Sequence, residues 1–371
     1  MRKLLLFLLT VVLISCTSDS ESEFNHEDLT EIELAVEFDL SQSNEIDFGF
    51  IRNIYLDSFE NIYVADIQRN SIMIIDQNGE LVREFNNRGQ GPGEYLTLAQ
   101  IYINQNTLFI VDSQQLKVSE FQIENEFGDL THVEDFIYPD RAFRRVVNFW
   151  PWDNENYLFV FGESFSEHDL MDQKYERLEL FNKNTQEYTE VYKMPQMENF
   201  RFSNSGGFGV RSLPFGTKPV FNFSKGEIFY GHNSELTIKR LDFQTPSNST
   251  QVLEFTSEPI PVSNQKRQSV FEDEYYVSRN VVNDIREQLP DFWPLYETFI
   301  IDDEGNIWLA VNREGFKDGE MWWIFNSEGQ GLYQVKLNEP IIFHTIRNGK
   351  AYGLSESEFG VQSLVKFAVN I

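Results

Sequence analysis

Residues 51–85 read IRNIYLDSFENIYVADIQRNSIMIIDQNGELVREF and contain four short apolar runs. The second run ends at Asp66, and the third is followed by the turn sequence Asp76-Gln77-Asn78-Gly79. Short alternating runs separated by Asn-Gly-type turns are typical of antiparallel strands that follow one another along the chain. The pattern therefore predicts one antiparallel sheet of four strands.

The second run of that sheet, Ile62-Tyr63-Val64-Ala65, recurs along the chain. Its counterparts carry an aromatic residue at Phe109, Phe159, Phe229, Trp308 and Tyr352. The shorter intervals between these positions match the roughly 40–50 residues of a propeller repeat, and the longer intervals indicate insertions. Six copies predict an all-β fold, a six-bladed β-propeller built from four-stranded antiparallel blades.

The last copy leaves room for only three strands before the sequence stops at Ile371. The alternating residues 32–40 can supply the missing outer strand, and such a closure removes the exposed edges of the ring. The propeller is therefore expected over residues 30–371. Within it, apolar side chains at helical spacing over residues 265–289 predict one helix, either a lid over the channel mouth or a cover for blade surface.

The amino terminus predicts a cellular address. Residues 1–15 combine a positive start, an apolar run and small residues, as a secretory signal peptide does. The end of the run, Leu13-Ile14-Ser15-Cys16, resembles the lipobox of bacterial lipoproteins, which implies that Cys16 carries acyl chains such as palmitate. The alternative is an ordinary signal followed by a chance cysteine. Residues 16–29 then form an acidic, self-repelling tether.

One further stretch carries a family resemblance. Ile62–Asp66, together with the glycine-rich sequence Arg88-Gly89-Gln90-Gly91-Pro92-Gly93-Glu94-Tyr95, resembles the six-bladed β-propeller lipoproteins of Bacteroidetes-like bacteria, which are relatives of NHL-repeat propellers. The resemblance implies a cell-surface setting and no settled activity. The residue after Cys16 is Thr17 and not the aspartate that is associated with retention in the inner membrane. The acidic run over residues 17–23 resembles the export tags of surface lipoproteins. An outer-membrane, lipid-anchored location follows as the expectation, with surface exposure as its finer form.

Composition excludes several classes of protein. The formal net charge of −29 repels nucleic-acid backbones, so no nucleic-acid partner is expected. A single cysteine rules out a scaffold held by disulfides within the chain. The 41% hydrophobic and 15% aromatic content suffices for a sizeable core, which excludes wholesale disorder.

The connections predict where a site would lie. In a blade whose strands run outward from the channel, the links from outer to next inner strand share one face with the links from second to third strand. The longest links of the first kind are predicted over residues 126–144, 194–218 and 256–296, and a long link of the second kind over residues 162–174. We call this side of the disc the decorated face, because long loops on a rigid scaffold usually carry function.

Cations are predicted at the decorated end of the channel. Arg52, Arg145 and Lys218 stand near the starts of inner strands, while Arg144 and Arg211 lie in adjoining loops. Guanidinium groups gathered there would attract a carboxylate or a phosphate. The alternative is that these cations pair with the abundant acidic residues around them.

Five other residues are candidates for the same face. Asp66 and Asp112 close equivalent strands and could ligate Ca²⁺ or a ligand hydroxyl, or could cap the loops that follow them. Arg88 and Glu94 border a tight turn that lacks the strand-to-helix setting of a phosphate loop. Trp293 is the tryptophan expected on the surface.

No catalytic motif and no histidine spacing typical of a metal site occurs in the sequence. The favoured function is a lipid-anchored, monomeric binding module for a glycan, peptide or envelope protein, without a catalytic residue or a cofactor. One alternative is a lactonase-like, metal-dependent hydrolase or lyase that acts on an anionic substrate at the channel mouth. Another is a structural accessory of an envelope complex.

Overall fold

The computed structural model describes residues 24–43, 46–140, 144–166, 168, 172–204, 207–311, 321–357 and 360–370. Two short strands, β1 (Thr30–Ile32) and β2 (Ala35–Asp39), precede the first blade. Six blades follow in chain order around a central channel, each with its strands arranged from the inside outward. Short 3-10 helices lie at His26–Asp28, Leu40–Gln42 and Pro246–Asn248.

Five blades contribute four consecutive strands each, and the sixth contributes three. Blade 1 comprises β3 (Ile51–Leu56), β4 (Ile62–Asp66), β5 (Ser71–Ile75) and β6 (Leu81–Phe85), and blade 2 comprises β7 (Leu98–Asn104), β8 (Thr107–Asp112), β9 (Lys117–Ile123) and β10 (Leu130–Ile137). Blade 3 comprises β11 (Arg144–Pro151), β12 (Asn156–Glu163), β13 (Tyr175–Asn182) and β14 (Glu187–Pro195). After the hairpin β15 (Asn199–Asn204) and β16 (Gly207–Ser212), blade 4 comprises β17 (Pro219–Ser224), β18 (Glu227–His232), β19 (Thr237–Arg240) and β20 (Thr250–Glu254). After three helices, blade 5 comprises β21 (Tyr296–Ile301), β22 (Ile307–Val311), β23 (Met321–Phe325) and β24 (Gly331–Lys336), and blade 6 comprises β25 (Ile341–Arg347), β26 (Lys350–Glu356) and β27 (Gln362–Ala368).

The ring closes through the amino-terminal segment. Strand β2 pairs antiparallel with β27 and completes blade 6, which confirms the predicted closure. Strand β1 also pairs in parallel with β24, so blade 5 gains a fifth strand that the sequence did not predict. The all-β, six-bladed architecture is therefore as expected, with the start of the chain joined to two neighbouring blades.

The core lies between the blades. Second strands such as β4 and β22 are buried along their whole length, because both faces of each blade pack against a neighbour. Blades 5 and 6 illustrate the contact, where the Phe343 ring lies 6.2 Å from the Trp308 ring and 4.9 Å from the Trp322 ring, centroid to centroid. Bulky rings from adjacent blades thus interleave and fix the angle between the blades.

Inner strands carry a β-bulge in five blades. The unpaired residues are Arg52, Ala99, Val147, Glu297 and His344. A bulge bends its strand and redirects one side chain out of the regular alternation. The bulges thus bring Arg52, Glu297 and His344 to the channel side of the blades, although apolar residues dominate the inner strands.

The insertion at residues 265–289 is not one helix, as predicted, but three. They are α1 (Asn264–Phe271), α2 (Glu274–Ser278) and α3 (Val282–Gln288). Asp273 caps α2 by accepting a hydrogen bond from the Tyr275 N–H at 2.8 Å, and Asn280 has a φ of 55°, which ends the helical path. The helical spacing of apolar residues continues across Asp273 and Asn280, so the sequence pattern did not indicate that the helix is broken at these two residues.

The helices pack against the hairpin β15–β16, and we call this unit the cap. Phe200 and Phe202 of the hairpin share a buried cluster with Tyr276, Val281 and Ile285 of the helices. The cap therefore has a small core of its own.

The cap also contacts the ring on the decorated face. The Arg201 guanidinium lies 4.9 Å from the centroid of the Phe165 ring, which belongs to the loop between β12 and β13. The long connections predicted over residues 194–218 and 256–296 are thus both found, and together they form one unit.

The long connection predicted over residues 126–144 is wrong. Its central part is β10 (Leu130–Ile137), the outer strand of blade 2, and the true connection begins only at Tyr138. A bulge between His132 and Glu134 breaks the alternation of this half-exposed strand. The strand therefore reads as a loop.

Candidate functional site: the channel mouth

Two arginines, a lysine and a buried glutamate come together at the decorated end of the channel. Glu176, on β13, is only 6% exposed. The positive charges of three residues act on its carboxyl group. The electrostatic effect is largest for Arg145, followed by Arg52 and then Lys218. The three cations that the sequence placed near the starts of inner strands therefore converge, and we call these four residues the channel mouth.

The register of blade 3 explains how Glu176 reaches the channel from the third strand. Gly162 of β12 pairs with Arg145 on one side and with Glu176 on the other, so the three residues lie in one row on the same blade face. A Cβ on Gly162 would stand 3.1 Å from the Val147 Cγ2 and 3.5 Å from the Arg145 Nε. The missing side chain therefore leaves space for Glu176 to extend toward the inner strand.

The carboxyl group of Glu176 is only partly ionised at neutral pH. Burial raises the pKa of Glu176 to about 7, while the three neighbouring cations act in the opposite direction. Within the part of the chain that the structure describes, neither Glu176 nor Arg145 makes a direct ion pair. The mouth is consequently a cluster of cations whose central carboxylate is only partly ionised.

Arg52 forms the floor of the mouth. Its Nη2 donates a hydrogen bond to the Val147 carbonyl at 2.9 Å, so the side chain crosses from blade 1 to blade 3. Burial, together with the charge of Arg145, lowers the pKa of Arg52. Nearby, burial lowers the pKa of His344 to about 4, and Arg52 adds to this effect, so the imidazole is neutral at pH 7.

Lys218 is held at the opposite side of the mouth. Its backbone N–H donates to the Asn233 Oδ1 at 2.6 Å, and the buried Asn233 side chain also donates to the Tyr296 carbonyl at 3.0 Å. The Lys218 ammonium group pairs with Glu297, a bulge residue of blade 5. Of the three cations, Lys218 therefore has a carboxylate partner, whereas Arg145 has none among the described residues.

A buried amide adds an acceptor to the mouth. Gln196 is 4% exposed, and its Oε1 accepts no hydrogen bond from the described residues. This atom stands 3.4 Å from the position of a Cβ on Gly162. A buried acceptor without a donor is costly, so a donor group on a ligand would be stabilised here.

The two aspartates expected at the face are occupied by backbone amides. Asp66 accepts hydrogen bonds from four N–H groups, those of residues 49, 50, 68 and 69, at 2.6–3.2 Å. Asp112 repeats the arrangement with the N–H groups of residues 96, 97, 114 and 115, at 2.6–3.3 Å. Both side chains are fully buried. They hold loops in place and lie apart from the group around Glu176.

The other candidates also have local partners. The Arg144 Nη1 donates to Glu179 at 2.5 Å, and this carboxylate is buried. Arg211 lies in the cap, with its guanidinium 4.5 Å from the Tyr275 ring centroid and 3.5 Å from an Asp273 oxygen.

The glycine-rich turn and the surface tryptophan stand apart as well. The Glu94 Oε2 accepts a hydrogen bond from the Gly91 N–H at 2.7 Å, which closes the turn beside the exposed Arg88. The Trp293 ring is half-buried and contacts Phe215 edge to face at 4.6 Å. None of these groups joins the channel mouth.

Two kinds of feature are absent from the described residues. No three His, Cys, Asp or Glu side chains among them lie close enough to hold a metal ion. No helix among them is both long enough and apolar enough to span a bilayer.

Sequence reasoning missed Glu176, Gly162 and Gln196, which complete the mouth. The available signal was a glycine inside the apolar second strand of blade 3, with a glutamate in the strand that follows it. The pairing of Gly162 with Glu176 could not be predicted from the sequence, because the long loop between β12 and β13 does not fix the register of these two strands.

The architecture can be compared with known proteins. A family model described as "6-bladed beta-propeller" matches residues 14–280. The chain belongs to this family. No match was found among proteins with curated descriptions.

Several solved structures are similar to this 6-bladed β-propeller. A candidate exported protein of Bacteroides fragilis is similar, with a TM-score of 0.52 at 12% identity, and the match covers 94% of this chain and 98% of the other. A member of the DUF4221 family from Bacteroides vulgatus gives a TM-score of 0.48 at 9% identity, over 91% and 98% of the two chains. A calcium-binding protein, regucalcin, of Agrobacterium tumefaciens gives 0.47 at 9% identity, over 92% and 97%.

Proposed function

We propose that this propeller is a binding module that captures an anionic group, a carboxylate or phosphate on a glycan, peptide or envelope protein, at the channel mouth. The observation that carries the proposal is the convergence of Arg52, Arg145 and Lys218 on one buried, half-ionised carboxylate. Arginine donates pairs of parallel hydrogen bonds to carboxylates and phosphates, and Arg145 has no ion-pair partner among the described residues. An incoming anion would supply one.

Local charge favours this ligand class over a neutral one. The chain as a whole carries a formal charge of −29, so a cluster of three cations stands out against the surrounding field. When Glu176 is protonated, the mouth has a surplus of positive charge, and the Gln196 carbonyl can accept a hydrogen bond from the same ligand. The cap lies beside the mouth on this face and offers further contact surface.

The proposed setting is the outer membrane, with the domain held by a lipid on Cys16 and exposed at the cell surface as a monomer. Cys16 lies outside the described residues, and the proposal rests on the lipobox-like sequence before it. Export of the structurally similar Bacteroides fragilis protein supports a setting outside the cytoplasm. Several acyl chains on one residue would anchor the domain stably.

Binding is tested with probes that differ only in charge. The detergent-solubilised full-length protein is titrated calorimetrically with galacturonate and galactose oligosaccharides, with poly-glutamate and poly-glutamine peptides, and with inorganic phosphate. We expect binding of at least one anionic probe and none of its neutral counterpart. Arg145→Gln should weaken that binding about tenfold, because a charge-assisted contact is lost.

Arg240→Gln is the matched control, since Arg240 is an exposed arginine that pairs with Glu227 on blade 4. Equal affinity for charged and neutral probes, or equal losses in the two variants, would contradict the anion site.

The anchor is tested separately. Cys16→Ser should move the protein from the membrane fraction to the soluble fraction and abolish labelling by an alkyne-palmitate analogue. Unchanged fractionation and labelling would contradict the lipid anchor while leaving the binding proposal intact.

A further inference from the structure

A cavity of about 390 Å³ opens on the face opposite the channel mouth, between blades 2 and 3. It lies beside the short turns that join β7 to β8 and β11 to β12, the side of the disc where no long connection was predicted. Its volume falls within the range of small-molecule sites, about 300–1,000 Å³. No residue of the channel mouth lines it.

Two carboxylates stand side by side in this cavity. Glu120 of β9 and Glu134 of β10 are direct cross-strand partners, an arrangement that is unfavourable for like charges. Lys183 pairs with Glu134 and lies 3.3 Å from the Tyr157 hydroxyl. That hydroxyl donates to the Glu120 Oε1 at 2.6 Å. Among the described residues, the two carboxylates therefore share one cation, Lys183.

The neighbouring blade contains the same kind of carboxylate pair, but there both carboxylates contact a guanidinium group. Glu179 and Glu190 are direct partners on β13 and β14. Arg144 pairs with Glu179 and Arg177 pairs with Glu190, each at 2.5 Å, and Arg177 also pairs with Glu163 at 2.7 Å. Each member of the pair in blade 3 thus has a cation in direct contact. In the cavity, Glu120 has only a neutral hydroxyl where the corresponding position in blade 3 has a cation.

The shortage of positive charge near Glu120 affects the pKa of its carboxyl group. Burial raises the pKa of Glu120, and the hydrogen bond from Tyr157 opposes this. The charge of Glu134 raises the pKa further, and the charge of Lys183 has the smallest effect, in the lowering direction. A cation placed beside Glu120 would relieve this unfavourable environment.

Aromatic side chains form part of the otherwise polar wall of the cavity. Phe109, Trp152 and Tyr157 all line the cavity. Aromatic rings attract cations through their π faces, and they provide apolar surface for a carbon skeleton. A hydrated metal ion would use the carboxylates but not the rings.

We propose that this cavity binds a small organic cation, a primary amine or guanidinium compound, with its charged group beside Glu120 and Glu134 and its carbon skeleton against the aromatic walls. The site is independent of the channel mouth and of the anion proposed there. The protein would thus carry two small-ligand sites of opposite charge preference, one on each face of the disc.

Amine and alcohol pairs provide the test. The full-length protein in detergent is titrated calorimetrically with hexylamine, agmatine and 1-hexanol, and separately with CaCl₂. We expect saturable binding of both cations, at least tenfold weaker binding of 1-hexanol, and competition between hexylamine and agmatine. Glu120→Gln should weaken cation binding at least tenfold.

Glu190→Gln is the matched control, because it removes one carboxylate from the pair in blade 3 whose members both contact a guanidinium group. It should leave amine affinity unchanged. Thermal melting verifies that both variants fold, and Glu120→Gln should melt no lower than the wild type, since a like-charge contact is relieved. Three results would overturn the proposal: equal binding of amine and alcohol, equal effects of the two variants, or Ca²⁺ binding that displaces the amines.

Discussion

Asp66 and Glu176 are both buried carboxylates on the decorated side of the ring, but their partners differ in kind. Asp66 accepts hydrogen bonds from four backbone amides, which the fold holds in fixed positions. Glu176 is surrounded by side-chain cations and has a pKa raised to about 7. A carboxylate saturated by amides stabilises a loop, whereas one that competes for cations leaves them partly available to a ligand.

Asp66 and Glu176 also differ in whether the same arrangement recurs in another blade. Asp112 occupies the same place in blade 2 as Asp66 in blade 1, with the same four-amide pattern. Glu176 has no such repeat in blades 4 and 6, where the third-strand residues paired with second-strand glycines are Ile238 and Val365. A feature that recurs at matching positions belongs to the construction of the blades, and an unrepeated one is where a ligand site should be sought.

Asp66→Ala tests the structural side of this contrast. The substitution removes the buried acceptor of four part-buried N–H groups, so we expect the free energy of unfolding to fall by about 3 kcal/mol or more. Urea denaturation followed by tryptophan fluorescence measures the loss. Asp76→Ala, in a half-exposed turn with the same kind of amide contacts, should cost only about 1 kcal/mol. Equal losses would remove the distinction based on burial.

Glu176→Gln tests the binding side. In the wild type, ionisation of Glu176 adds a negative charge among the cations, so anion affinity should fall about tenfold as the pH rises from 6 to 8. In the variant this pH dependence should vanish, and affinity at pH 8 should rise to the wild-type value at pH 6. His344 stays neutral over this range, because its pKa is lowered to about 4.

Calorimetric titration of the best anionic probe at three pH values measures this effect. A pH dependence that persists in Glu176→Gln would show that another group titrates with binding, and it would remove Glu176 from the role given to it here.

Gly162→Ala tests whether anion binding needs the space that a glycine leaves between Arg145 and Glu176. The new Cβ would press on Val147 at 3.1 Å, so we expect a cost of about 1 kcal/mol in stability and a few-fold loss of anion affinity as the row of Arg145 and Glu176 shifts. Denaturation and titration are measured on the same preparation. An unchanged affinity would mean that the glycine serves the packing of blade 3 only.

Much of this architecture is readable from the sequence, because each blade repeats the same succession of strands and turns. Repetition revealed six blades, the closing strand and three cations of the mouth. It failed for β10, whose bulge interrupts the alternation, and for the insertion, whose apolar stripe continues across Asp273 and Asn280.

The remaining parts of both sites depend on register between strands. The row of Arg145, Gly162 and Glu176 and the pair of Glu120 and Glu134 arise from pairings across connections of different length. One sequence does not specify those pairings, so the side chains that meet could not be named in advance.

The double attachment at the start of the ring has a mechanical consequence. Phe24 packs against Phe255 and Trp323, with ring centroids 4.4 and 5.2 Å away, before β1 joins blade 5 and β2 joins blade 6. A pull transmitted through the preceding residues would first load this aromatic contact and then two sheets in shear. Tension on a tether would therefore be shared between adjacent blades and kept from the distant blade 3, where Gly162 and Glu176 lie.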